Sequence, residues 1–102
     1  MRLIRQLTED IRRNINEAES HINAAYALME SNRQAADWYK DMATAHLGFN
    51  AAGHAAAKKL VDEQRANGSP LVPGMLAVYE AVHADLIKRT AQVRAMVDMY
   101  GK

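Results

Sequence analysis

Four histidines, His21, His46, His54 and His83, and the carboxylates Glu17, Glu19 and Glu80 are the side chains of this chain whose types could do chemistry. The sharpest local signal is Glu80-Ala81-Val82-His83, an E-x-x-H. On a helix, that i,i+3 spacing puts a carboxylate and an imidazole on one side, as carboxylate-bridged metal sites in helical bundles require. The chemistry it suggests is coordination of a divalent metal such as iron or zinc. A surface pair with no ion is the ordinary alternative. His46 reads as a rim histidine beside the core of its helix, and His54 as either solvated or turned toward a partner subunit. His21 and Glu19 lie on different sides of the first helix, so they are not expected to share an ion.

Other chemistries find no footing. The chain has no cysteine, which excludes disulfides, thiolate catalysis and cysteine-ligated zinc. No serine stands in a nucleophile setting, and no glycine-rich phosphate loop is present. The expectation is therefore a protein that is not an enzyme. Most of the six methionines fall at apolar positions and read as gap-filling core residues.

Helices must position these side chains. From Leu3 to Glu30, Ile4, Leu7, Ile11, Ile15, Ala18, Ile22, Ala25, Tyr26 and Met29 recur at helical spacing, with Arg13, Glu17 and Asn23 opposite. Leu3, Asp10, His21 and Leu28 form a mixed flank that could meet a partner. Ser31 and Gln34 have the spacing of a capping box for a second helix over 32–66. That helix is rich in alanine and unbroken by proline. At about 100° per residue, Trp38, Met42, Ala45, Phe49, Ala56 and Leu60 make its core stripe, with Ala35 and Gly53 in the same arc. On that reading Phe49→Ala would cost about 3 to 5 kcal/mol. Gly48 and Gly53 each disfavour a helix by about 1 kcal/mol, which points to close backbone approach, a kink, or simple tolerance. Asn67-Gly68 closes the helix, and Pro70 and Pro73 bound a loop. A third helix follows over 73–100, with Met75, Val78, Tyr79, Val82, Leu86, Val93, Met96 and Val97 on its core face and Gly101 ending it. Leu76, His83 and Ile87 form a second strip beside that face.

These elements predict one all-α domain over residues 1–102, an antiparallel three-helix up-down-up bundle. The surplus apolar strip on the third helix predicts completion by a second copy, most simply a homodimer. The composition agrees: 49% hydrophobic, 6% aromatic and 25% charged describes a folded bundle rather than a disordered chain. A net charge of +1 with acids and bases interleaved leaves no footprint for nucleic acid. Even the basic end at Arg2, Arg5, Arg12 and Arg13 has Glu9 and Asp10 within it. No apolar run approaches the ~18 residues that would span a membrane, and the N-terminus lacks the apolar stretch of a signal peptide. A cytoplasmic protein is the expectation.

From Ala18 to Tyr100 the chain resembles a group of short, mostly uncharacterised, ferritin-like helical proteins of bacterial prophage-like and mobile elements. The resemblance rests on Ala18-Glu19, on Ala35-Ala36-Asp37-Trp38-Tyr39 leading to His54 and to Lys59-Leu60-Val61-Asp62-Glu63, on Met75 to Glu80 with His83, and on Met99-Tyr100. It implies a ferritin-like helical hairpin joined by a third helix. It also implies a metal site drawn from Glu19, His54, Glu80 and His83, with His46 as a substitute ligand. Where such proteins are expected to carry a second E-x-x-H, this chain reads His46-Leu47-Gly48-Phe49, which removes a carboxylate and a histidine from the inherited set. The functional expectation is therefore a metal-free, oligomeric interaction module. The alternative is a ferritin-like protein binding a divalent metal through helix-borne Glu and His.

Overall fold

Isoleucine and alanine recurring every three or four residues give the first helix a continuous apolar edge, and that edge is the centre of the protein. In the computed structural model, which describes residues 2–66 and 73–101 and only the backbone of residues 2, 3, 64, 65 and 73–79, the chain is all-α. Its elements are α1 (Arg2–Leu28), α2 (Arg33–Ala66) and α3 (Pro73–Met99), with no strand among the described residues. Ile4, Ile11, Ile15, Ala18, Ile22 and Ala25 of α1 are all buried, along the face that their spacing predicts.

Two ends of helices follow from local chemistry. At the start of α2, Asn32 rather than Ser31 is the cap: its Oδ1 accepts the Ala35 N–H at 3.1 Å, and its carbonyl accepts the Ala36 N–H at 3.0 Å. The cap thus sits one residue later than the Ser31–Gln34 pair suggests; asparagine serves this position as well as serine does. At the end of α3, Gly101 takes φ of 79°, the left-handed conformation that stops a helix most cheaply at glycine. The expected Asn67-Gly68 cap and the Pro70 loop lie outside the described residues.

The buried line of α2 is Ala36, Ala43, Leu47, Asn50, Ala57 and Val61. It is turned by about a third of a revolution from the Trp38–Phe49 stripe, counting 100° per residue. Trp38 is 58% exposed and Phe49 63%, so neither is a core residue. The cause lies in the partner. The isoleucines of α1 already fill the shared space, and the small alanines of α2 fit against them where an indole or phenyl ring could not. Because alanine occurs on every side of α2, its pattern allowed either face to close on α1.

α3 completes the core with Leu86, Val93 and Val97. Val82 and Met96 pack at its edge, while Met75, Val78 and Tyr79 lie outside the described side chains. Contacts run in opposite senses along α1 and α2: Ile11 meets Gly53, and Asn14 and Glu17 meet His46. Along α2 and α3 they also oppose, from Asp37 with Tyr100, through Asn50 with Thr90, to His54 with His83. The result is a rod of 56 × 19 × 17 Å with a radius of gyration of 16.4 Å, against about 13 Å for a compact domain of this size. The length is that of α2 itself, whose 34 residues span about 51 Å. No helix among the described residues is long and apolar enough to cross a membrane.

Candidate functional site

Two separate histidine clusters lie on this frame. The first spans α1 and α2. Glu17 and His21 are one turn apart on the flank of α1, and His46 faces them from α2. Among the described residues these three alone form a group of potential ligands whose donor atoms lie within 4.8 Å of one another. Nε2 of His46 stands 3.3 Å from Oε2 of Glu17, and its other nitrogen, Nδ1, is 3.1 Å from Oδ1 of Asn14. The His21 ring lies nearly parallel to that of His46, centroids 5.2 Å apart. Tyr39 and Phe49 border the cluster with ring centroids at 5.8 Å from His21 and 6.3 Å from His46 respectively. Glu17 is exposed while both histidines are half-buried, so the site is a shallow, solvent-accessible seam with aromatic edges.

The second cluster lies between α2 and α3. His54 and His83 meet edge to face with centroids 4.9 Å apart. Both ring nitrogens of His54 are shielded from solvent and have no hydrogen-bond partner among the described residues. Burial, and secondarily the nearby His83, hold its pKa below the ordinary imidazole value. One turn earlier on α2, buried Asn50 donates to Thr90 Oγ1 at 2.9 Å, and Thr90 in turn donates to the Leu86 carbonyl at 2.7 Å. The seam between α2 and α3 therefore carries a partly buried polar pair at its middle.

The ligands expected from the sequence, Glu80, His83, His54, Glu19 and His46, are distributed over three places. His54 and His83 come together, and Glu80 is exposed one turn before His83. Glu19 lies on the other flank of α1, 3.8 Å from Nη2 of Arg89. His46 belongs to the cluster with Glu17 and His21. Eight residues separate His46 from His54, about 12 Å along the helix, so the five side chains do not share one ion. His54 is neither solvated nor turned outward. The rotation of α2 that exposes Phe49 carries His54 inward against α3. The same rotation brings His46 over the α1 flank where His21 lies.

A third polar junction pins the far end of the rod. Tyr100 donates its hydroxyl to Oδ1 of Asp37 at 2.7 Å, and Nε of Arg33 donates to the same oxygen at 3.1 Å. The guanidinium of Arg33 lies 5.3 Å from the centre of the Tyr100 ring. Tyr26 reaches the same junction, donating to the Met96 carbonyl at 2.7 Å. No protein-family model, no curated protein and no solved structure matches the chain.

Proposed function

We propose that this chain is a non-enzymatic interaction module that acts in the cytoplasm as a homodimer, its up-down-up bundle joined to a second copy through α2. One observation carries the reading: the exposed side of α2 bears Trp38 and Phe49, 58% and 63% exposed, on a line with Met42, Ala45, Ala52 and Ala56. The steps along that line are four, three, four, three and four residues, the alternation of a coiled-coil seam. Alanines between the large side chains let a second helix approach closely, and aromatic side chains such as Trp and Phe carry large apolar area into an interface. On α3, Ile87 is 51% exposed and adds apolar surface, whereas His83 is taken up by His54.

Light scattering on the untagged chain tests this. A dimer mass that falls to the monomer in Trp38→Glu/Phe49→Glu, with helicity retained, is the expected result. A compact monomer for the parent at all working concentrations overturns it.

A second reading keeps a divalent metal on the α2–α3 seam, with His54, His83 and Glu80 as ligands. It is favoured by the unpartnered nitrogens of His54. Elemental analysis of the parent beside Glu80→Ala/His83→Ala tests it: metal present in the first and lost in the second is required.

A further inference from the structure

The cluster on the other seam, between α1 and α2, has a donor arrangement that asks for a cation. Both ring nitrogens of His46 face oxygen acceptors, Asn14 Oδ1 at 3.1 Å and Glu17 Oε2 at 3.3 Å. A neutral imidazole carries one N–H and one lone pair. If Nδ1 donates to Asn14, Nε2 points its lone pair at a carboxylate oxygen, and a positive charge is needed between them. A proton can supply that charge, but His21 brings a second imidazole to the same group, one donor atom from each of the three residues lying within 4.8 Å of the others, and a proton has no use for a third donor.

The distances fit an ion. Two ligand atoms each about 2.05 Å from a tetrahedral zinc stand about 3.3 to 3.4 Å apart, which is the observed separation of His46 Nε2 and Glu17 Oε2. The outer contact fits as well. A metal-bound histidine almost always donates its other ring N–H to a carbonyl or carboxylate, which fixes the tautomer and aims the lone pair. Asn14 Oδ1 occupies that position behind His46. Two neutral nitrogens and one carboxylate make a donor set suited to zinc, and Glu17 and His21 at i,i+4 are a ready chelate on one helix. We propose that Glu17, His21 and His46 bind one Zn²⁺ across α1 and α2, with Asn14 orienting His46 and water in the fourth position. Such an ion ties the two helices together and leaves one coordination site open on the side of the exposed Glu17.

Calorimetric titration of the untagged, metal-stripped chain with zinc chloride tests the assignment. The parent should take up zinc, with His46→Ala and, separately, Glu17→Gln each binding one equivalent fewer. Asn14→Ala should keep the stoichiometry but bind roughly 10- to 100-fold more weakly, as loss of an outer-shell partner does. His54→Ala/His83→Ala should retain this equivalent, which separates the site from the α2–α3 seam. Zinc should also raise the Tm of the parent and not that of Glu17→Gln, because a ligand bound only by the folded chain stabilises it. The proposal is overturned if the parent takes up no zinc, or if His46→Ala and Glu17→Gln, folded by circular dichroism, bind as many equivalents as the parent.

Discussion

Gly53 of α2 lies so close to Ile11 of α1 that a Cβ built on it would stand 2.9 Å from Ile11 Cγ1, while a Cβ on Gly48 would meet nothing within 4 Å. The two glycines therefore separate two effects that act together elsewhere. Each replacement by alanine gains about 1 kcal/mol of helix propensity, but only Gly53→Ala pushes a methyl group into a branched side chain that is itself 3% exposed. Gly48→Ala should stabilise the protein by roughly 0.5 to 1 kcal/mol. Gly53→Ala should fall below it by about 1 to 3 kcal/mol, the usual overpacking cost. Urea denaturation of both variants measures the difference, and equal stabilities would remove the close approach of α1 and α2 at this point.

Burial makes a second comparison. Ile15 is fully buried at the centre of the core, so Ile15→Ala should cost about 2 to 5 kcal/mol. Phe49→Ala, at a largely exposed position, should change the stability of the isolated subunit by less than about 1 kcal/mol. Measured at a concentration where the chain is monomeric, a Phe49→Ala loss comparable to that of Ile15→Ala would contradict the placement of the α2 face.

How far the sequence reveals this molecule depends on which residues mark a face. In α1 the isoleucines leave one apolar edge and one charged one, so the buried line Ile4, Ile11, Ile15, Ala18, Ile22 and Ala25 is legible, while Tyr26, expected on the same line, is 37% exposed. In α3, Leu86, Val93 and Val97 do the same. In α2 the largest apolar side chains draw the eye to Trp38 and Phe49, but alanines surround the helix, and the face that packs is the one whose small residues complement the isoleucines. That choice belongs to the pair of helices and not to α2 alone. The site inherits the ambiguity. In the sequence Glu17 reads as part of the charged side of α1 and His21 as part of its flank, with nothing to join them, and His46 can be assigned to that pair only once the rotation of α2 is known.

The His54 imidazole carries a pH prediction. Its folded pKa lies below the ordinary value because burial disfavours the charged ring, with His83 adding to the effect. The unfolded chain therefore binds a proton that the folded chain refuses, and stability must rise with pH in that interval. The contribution is complete above the unfolded value of about 6.5 and is lost as the pH falls below it toward the folded value. Denaturation midpoints at pH 7.5 and pH 5 should differ more for the parent than for His54→Leu, which has no proton to take up. Identical pH dependences in the two proteins would mean that His54 is solvated in the folded chain.

Asp37 provides the opposite sign at the other end of the α2–α3 seam. The hydroxyl of Tyr100 lowers its pKa most; desolvation opposes it, and the hydrogen bond and charge of Arg33 lower it further. Tyr100 in turn is held above the ordinary phenol value by desolvation and by its bond to the Asp37 carboxylate. A carboxylate with a lowered folded pKa stabilises the protein above its unfolded pKa, and that stabilisation disappears as the pH falls through the folded value. Tyr100→Phe keeps the ring against Tyr26 and Arg33 but removes the donor. The Asp37 pKa, followed by NMR on the side-chain carboxyl carbon, should then rise toward the usual carboxylate range. Arg33→Gln should raise it as well, since both the hydrogen bond and the charge of the guanidinium hold it down. If Tyr100→Phe left the Asp37 pKa where it stands in the parent, the hydroxyl of Tyr100 would have no part in holding the end of α3 to α2.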